Sequence, residues 1–293
     1  LDKEESADRT GATDKYMIAN AYYLYVTELV KKTAEVLGKA EEAAKYGNLY
    51  ETTLDAFQRE YYTETGRIVS ETQTGAILSL YFNLAREKDR KRILNTLITN
   101  IANHKNHLAT GFVGTPYICH TLSENGEHEM AATLFMKEDY PSWLYAVNMG
   151  ATTIWERWNS IKPDGTFDES GMNSLNHYAY GSVGDWMYGK VAGLSQLEPG
   201  YKKFQVKPMF VKGIEEWGTE FESVYGNEAK NMVKKEAEQK RKSALQKLFQ
   251  KKRYQKQYQA AKQSKKAKDA AITSAQKFTE KAKDAVKMIA AQN

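Results

Sequence analysis

The sequence predicts an all-α fold built from paired helices. Three observations support this prediction: apolar residues recur at helical spacing, short polar and glycine-containing turns separate the helices, and no stretch before residue 200 shows sustained strand alternation. Short connections favour antiparallel helix neighbours. The pattern therefore indicates a toroid of helical hairpins.

The predicted helices follow one another in four pairs. They are Tyr16–Leu37 with Ala43–Tyr61, Gln73–Ala85 with Asp89–Asn103, Thr115–Leu122 with His128–Lys137, and Pro141–Met149 with Ser174–Ala192. In the first helix, Ile18, Tyr22, Tyr25 and Leu29 lie near helical spacing, and Gly38 provides a stop signal. The last pair is separated by a long loop.

That loop, Ile161–Met172, is where we expect a binding site. Its first part, Lys162–Gly165, reads Lys-Pro-Asp-Gly, a composition typical of a β-turn. Loops of about twelve residues without secondary structure are uncommon in compact domains and are often functional. Asp164, Asp168 and Glu169 are candidate acids by chemistry alone, although a solvated acidic loop is the simpler explanation.

Two clusters of polar and aromatic residues flank this loop. Gly150–Asn159 frames one carboxylate, Glu156, with two tryptophans and Arg157, and Asn173–Gly181 contains His177. Indole rings stack on the apolar face of a sugar while a carboxylate transfers protons. A structural interpretation also stays open, in which Glu156 is buried and paired with Arg157 beneath core tryptophans.

Four segments in this order resemble a known family. They are Gly111–Tyr117, Tyr140–Tyr145, Gly150–Asn159 and Gly171–Tyr188. So arranged, they look like the second half of the catalytic domain of bacterial α-L-rhamnosidases of glycoside hydrolase family 78. The resemblance runs from about Gly11 to about Tyr225. It implies part of an (α/α)6 barrel and cofactor-free hydrolysis of terminal α-L-rhamnose, with inversion at the anomeric carbon.

The resemblance also implies roles for individual residues. Its glutamate motif maps the general base onto Glu156, and its Asn-His-Tyr motif maps a sugar contact onto His177. We expect Arg157 to orient the base. Further sugar neighbours are expected in the aromatic-rich stretch, which suits a carbohydrate platform and equally an aromatic core. These are Trp143, Tyr145 and Trp155.

The family's general acid maps onto no residue of this sequence, because the family places it in a segment that precedes the matched part. Inverting hydrolysis needs two carboxyl groups roughly 6.5–9.5 Å apart. Glu156 supplies one of them. We therefore expect a truncated chain without activity unless Asp164, Asp168 or Glu169 acts as the acid. An (α/α)6 glycosidase for another sugar is the alternative enzyme.

Composition limits the compartment and the cofactors. The chain starts at Leu1 in a polar segment without the apolar core of a signal peptide, and no apolar run approaches the roughly 18 residues of a membrane span. The single cysteine, Cys119, excludes an intramolecular disulfide and is predicted to be a small buried hydrophobe. His120 and His128 are predicted on the surface. No metal is expected, and cytoplasm and periplasm both stay open.

The last part of the sequence differs from the rest. Tyr201–Phe210 alternates like a strand and resembles the opening of the family's C-terminal β-domain. Residues 228–293 carry 19 basic against 6 acidic residues, whereas residues 1–227 carry the remaining 23 basic and 31 acidic residues. We predict a partial glycosidase domain at 1–200, a β-type segment at 201–226 and a basic helical tail at 227–293.

Three interpretations of the basic tail stay open. A basic helix binds nucleic acid or an anionic membrane through charge, and a non-catalytic interaction protein is the corresponding alternative function. A solvated linker is the second. The third, which we favour, is a fusion of unrelated reading frames, since the tail weakly resembles Lys/Gln/Ala-rich helices of mobile-element proteins.

Overall fold

The chain folds mainly into α-helices, and a computed structural model describes residues 11–225 apart from 170, 172, 212, 213 and 215–218. The described α-helices are α1 (Lys15–Val36), α2 (Ala40–Tyr61), α3 (Gln73–Tyr81), α4 (Arg90–Asn103), α5 (Thr115–Glu124), α6 (His128–Phe135), α7 (Trp143–Asn148) and α8 (Val183–Trp186). All of them belong to one compact unit, Leu1–Thr219. None of the described helices is both long enough and apolar enough to cross a membrane.

Side-chain caps fix where several helices begin. The Met17 N–H donates to Asp14 Oδ1 (2.7 Å) at the start of α1. The Gly75 N–H donates to Thr72 Oγ1 (3.0 Å) at α3, and the Tyr145 N–H donates to Ser142 Oγ (3.1 Å) at α7. Such caps satisfy backbone N–H groups that a helix start leaves without partners.

The predicted hairpins are confirmed for the first three pairs. Helix α1 packs along α2, α3 along α4, and α5 along α6, and α3 also contacts α1 and α5. One hydrophobic core joins these hairpins. Its fully buried members include Met17, Leu24, Ile77, Leu78, Leu97, Ile101, Ile118, Leu122 and Trp186.

The single helix predicted at Ser174–Ala192 is wrong. Instead, a 3-10 turn (Ala179–Ser182), α8 and a π-helical turn (Met187–Val191) follow a non-helical stretch. The physical reason is local competition for the backbone. The Asn176 N–H donates to Ser174 Oγ (3.1 Å), and the Ala179 N–H donates to His177 Nδ1 (3.2 Å).

Two other boundaries also differ from expectation. Helix α3 ends at Tyr81, four residues before the predicted end, because Asn83 adopts a left-handed backbone conformation (φ 58°). The strand expected within Tyr201–Phe210 is confirmed as β2 (Phe204–Val206). It pairs antiparallel with β1 (Leu194–Gln196), which lies before residue 200 and was not predicted.

His120 and His128 lie in the core, so their predicted surface placement is wrong. His120 Nε2 lies 2.9 Å from Asp185 Oδ2, and His128 Nδ1 lies 2.9 Å from Ser123 Oγ. Polar partners of this kind offset the cost of burying an imidazole. Cys119 is buried as predicted, and burial raises the pKa of its thiol to about 12.

The basic tail predicted at 227–293 lies outside the described residues. Its interpretations as a nucleic-acid-binding or membrane-binding helix, a linker or a fusion therefore stay predictions. The proposed boundaries of the three segments also stay predictions.

Candidate active site

The two predicted motifs lie side by side in the structure. The Glu156 N–H donates to the Ser174 carbonyl (2.8 Å), and the His177 N–H donates to the Ile154 carbonyl (2.8 Å). These backbone bonds join a segment around residue 155 to one around residue 175. Sequence spacing alone does not reveal such a pairing, because neither segment is a regular helix or strand.

The Glu156 carboxylate is held by a main-chain donor. The Ser174 N–H donates to Glu156 Oε2 at 2.7 Å, so the same residue pair is joined twice. A hydrogen bond to a carboxylate is stronger and shorter than one between neutral groups. Glu156 is half-buried, and the bond fixes the direction in which its carboxylate points.

Two contacts orient the imidazole ring of His177. Its Nδ1 accepts from the Ala179 N–H (3.2 Å), and its ring stacks on Tyr178 with centroids 5.0 Å apart. In a neutral imidazole, an accepting Nδ1 leaves the proton on Nε2. His177 therefore offers an Nε2–H donor, which can bind a hydroxyl group. The neighbouring Tyr178 ring is exposed.

Asp168 anchors the loop between the two motifs. Its Oδ1 lies 3.4 Å from Arg157 Nη1, and its Oδ2 accepts from Asn159 Nδ2 at 2.7 Å. The backbone is also tied, because the Asp168 N–H donates to the Ser160 carbonyl (3.2 Å) and Asn173 Nδ2 donates to the same carbonyl (3.0 Å). The network fixes the loop immediately beside Glu156 and Ser174.

This network bears on the role predicted for Arg157. The guanidinium forms an ion pair with Asp168, and the carboxylate of Glu156 is oriented by a backbone N–H that sequence analysis missed. A role for Arg157 in orienting Glu156 stays a prediction.

The loop tip is a tight turn rather than an irregular loop. The Gly165 N–H donates to the Lys162 carbonyl (2.8 Å), which is the predicted β-turn, and Ile161 pairs with Phe167 in an antiparallel bridge. At the tip, hydrogen bonds from Thr166 hold the pKa of Asp164 below its ordinary value. A general acid needs the opposite shift, so this environment does not suit Asp164 for that role.

The three aromatic residues predicted as sugar neighbours are all buried. Trp143 Nε1 donates to the Tyr180 carbonyl (2.9 Å), and the Tyr145 hydroxyl donates to the Ile161 carbonyl (2.9 Å). Trp155 is 4% exposed. Contacts with a sugar stay a prediction for these residues, while their hydrogen bonds and burial give Trp143 and Tyr145 a clear structural role.

Two further buried aromatic residues, Trp158 and Tyr180, pack against each other in this region. The rings of Trp158 and Tyr180 are stacked with centroids 3.8 Å apart, and Trp158 Nε1 donates to the Thr110 carbonyl at 3.0 Å. Burial raises the pKa of Tyr180 to about 12. Across the part of the chain that the structure describes, no group of three or more His, Cys, Asp or Glu residues could hold a metal ion.

Comparison with known proteins gives a consistent result. Residues 1–191 match the family described as the bacterial alpha-L-rhamnosidase 6 hairpin glycosidase domain, and residues 193–240 match the bacterial alpha-L-rhamnosidase C-terminal domain. An alpha-L-rhamnosidase of Formosa agariphila is 42% identical over 207 residues, which is 70% of this chain and 22% of that protein. One of Streptomyces avermitilis is 40% identical over 196 residues, covering 67% of this chain and 19% of that protein.

Solved structures show the same relationship. The native α-L-rhamnosidase of Aspergillus terreus matches with a TM-score of 0.68 and 36% identity, over 71% of this chain and 25% of that one. The Streptomyces avermitilis enzyme complexed with L-rhamnose matches with a TM-score of 0.65 and 39% identity, over 70% and 20% of the two chains. This chain thus spans about a fifth to a quarter of these relatives. By its sequence and its helical hairpins, the chain belongs to the bacterial α-L-rhamnosidase six-hairpin glycosidase family.

Proposed function

We propose that this chain supplies the general-base half of a site that hydrolyses terminal α-L-rhamnosides with inversion. The observation that carries the proposal is the position of the Glu156 carboxylate. It is half-buried, it accepts a hydrogen bond from the Ser174 N–H at 2.7 Å, and it lies beside the segment that carries His177. Family membership and the relative complexed with L-rhamnose support the choice of sugar.

In the proposed reaction, Glu156 takes a proton from a water molecule. The water oxygen attacks the anomeric carbon on the face opposite the leaving group, and the bond to the glycosidic oxygen breaks with its electron pair on that oxygen. A second carboxyl group protonates the departing oxygen, and the resemblance to the family maps this acid onto no residue of the chain. The Nε2–H of His177 donates to a sugar hydroxyl and holds the ring in place.

An activated leaving group tests the base without the acid. A dinitrophenolate departs without protonation, so dinitrophenyl α-L-rhamnoside needs only the base, whereas an alkyl rhamnoside needs both groups. We expect the full chain to release dinitrophenol and to leave the alkyl rhamnoside intact. Glu156→Gln should slow the release about 10²–10⁴-fold, as the loss of a general base does.

Glu87→Gln is the matched control, because the Glu87 side chain is 95% exposed and lies in the 3-10 turn before α4. It should leave the rate unchanged. Equal release by the wild-type and Glu156→Gln chains would refute the assignment of the base. Faster release from a dinitrophenyl glycoside of another sugar would favour a different (α/α)6 glycosidase, and rhamnose binding without any release would favour a non-catalytic protein.

A further inference from the structure

A polar cavity of about 350 Å³ lies along one face of α4, away from the buried Ile93, Leu97 and Ile101 of the same helix. Its volume falls within the roughly 300–1,000 Å³ of small-molecule sites. Glu71 lines it from the segment before α3, and the other lining residues share one face of α4, because residues three and four apart are neighbours on a helix. They are Arg92, Asn95, Thr96, Thr99, Asn100 and Asn103. We call this space the α4 cavity.

The composition of this face is unusual for the exposed side of a helix. No residue from Ile93 to Asn103 is charged, whereas α1 and α2 carry ion pairs on their surfaces, Lys31 with Glu35 and Asp55 with Arg59. Asn and Thr are also poorer helix formers than the Lys and Glu that usually cover such a surface. Helix stability therefore does not explain why the cavity is lined by Asn and Thr.

Two hydrogen bonds hold polar groups of the cavity in place. Asn100 Nδ2 donates to the Glu71 carbonyl (3.1 Å), and Arg92 Nη1 donates to the Thr65 carbonyl (3.0 Å). Asn100 Oδ1 is buried and has no hydrogen-bond partner among the described residues. Buried acceptors without a partner are rare because they cost stability, so this oxygen gains from a ligand that brings a donor.

We propose that the α4 cavity is a second, non-catalytic site, which binds a neutral carbohydrate chain. Side-chain amides and hydroxyls both donate and accept hydrogen bonds, as the hydroxyl groups of a sugar do. Glu71 and Arg92 contribute one charge of each sign, so the lining has no net charge to attract an anion. The described residues that line the cavity include no apolar side chain, which leaves an apolar peptide nothing to pack against.

The α4 cavity shares no residue with the candidate active site. Its existence does not depend on the chemistry assigned to Glu156, whereas the choice of a rhamnose polymer as its ligand rests on the proposed function. Binding at this second site would keep a polymeric substrate attached to the protein between hydrolysis events.

Affinity electrophoresis tests the proposal. The full chain migrates through native gels that contain a neutral rhamnan, and binding reduces its mobility. Asn95→Ala combined with Thr99→Ala should raise the Kd for rhamnan by about fivefold or more, because two side-chain hydrogen bonds are lost. Alanine is the better helix former, so the melting temperature of this variant should be equal or higher. A lower melting temperature would mean that these side chains stabilise the fold and would overturn the proposal.

Asn48→Ala combined with Thr52→Ala is the matched control. It makes the same two substitutions at the same spacing on α2, and both residues are exposed. Its mobility in the rhamnan gel should equal that of the wild type. Unreduced mobility of the wild type, an equal effect in the control, or a Kd that the cavity variant leaves unchanged overturns the proposal. Displacement of rhamnan by inorganic phosphate, but not by sodium chloride of equal ionic strength, would indicate an anion site and also overturn it.

Two further measurements separate this site from the proposed active site. Glu156→Gln should retain the reduced mobility in rhamnan, and a loss of binding in that variant would place the polymer at the active site and overturn the proposal. The cavity variant should release dinitrophenol at the wild-type rate. Rhamnan binding that the cavity variant weakens, without dinitrophenol release by any chain, would leave the α4 cavity standing while refuting the proposed function.

Discussion

The ion pair between Asp168 and Arg157 gives a quantitative prediction about the loop that supports Glu156. The Asp168 side chain is 11% exposed and that of Arg157 is 32% exposed. Asp168→Ala removes an acceptor for Arg157 and for Asn159. Hydrogen bonds to a charged group contribute about 1.5–3 kcal/mol each, and water repays part of the loss at the more exposed guanidinium. We therefore expect the free energy of unfolding to fall by about 2–3 kcal/mol.

This change corresponds to a fall in melting temperature of about 4–12 °C for a unit of this size. Differential scanning calorimetry of the full chain measures it directly. The matched control is Asp55→Ala, which breaks an ion pair with Arg59 at 2.9 Å whose side chains are 65% and 73% exposed. An exposed pair within a helix contributes only about 0.3–0.5 kcal/mol.

Comparing the two variants shows whether burial or a short N–O distance determines how much an ion pair stabilises the fold, because the exposed pair has the shorter distance. Asp168→Asn should recover part of the lost stability, since its amide oxygen can still accept from Asn159. If Asp168→Ala and Asp55→Ala lower the melting temperature equally, the Asp168 network does not hold the loop, and our explanation of the site's geometry is wrong.

Three further predictions concern the scaffold. Gly193→Ala should lower the free energy of unfolding by about 2–4 kcal/mol, because φ is +74° and an added Cβ would lie 2.1 Å from the Lys207 carbonyl carbon. Gly126→Ala, at φ +89° but with open space around the added Cβ, should lower it by only about 1–2 kcal/mol in the same thermal unfolding experiment. Burial lowers the pKa of His120, so the unfolded chain binds a proton at a higher pH than the folded chain does. The free energy of unfolding should therefore fall as the pH drops below 6.5. A His120→Gln variant whose free energy of unfolding depends on pH with the same slope would contradict this. The buried Cys119 thiol, with its pKa raised to about 12, should not react with a disulfide reagent until guanidinium unfolds the chain, and rapid labelling of the native chain would refute its burial.

Helical periodicity predicted the scaffold well because long amphipathic helices repeat one pattern many times. Helices α1 and α2, of 22 residues each, begin and end within three residues of their predicted bounds. The same reasoning failed at Ser174–Ala192. There the polar side chains bond to their own backbone, and this local competition leaves no periodic signal to detect.

The sequence indicated the residue types of the site but not how they are held. Glu156 and His177 were selected from motifs, and their segments do meet. The bond from the Ser174 N–H to Glu156 could not be predicted, because a backbone donor has no signature in the sequence. The pairing of Arg157 with Asp168 was missed because a neighbouring carboxylate in the sequence was a simpler partner than one eleven residues away.

Because Ile161 and Phe167 form an antiparallel bridge, the loop tip can change in length without changing the geometry of the loop's base. Residues 162–166 extend beyond this bridge, while Asp168 and Ser174 lie on the fixed side of it. Doubling the length of a flexible loop costs only about 0.6 kcal/mol in closure entropy. Insertions at this tip can therefore accumulate during evolution, or be introduced by engineering, without altering the contact between Ser174 and the carboxylate of Glu156.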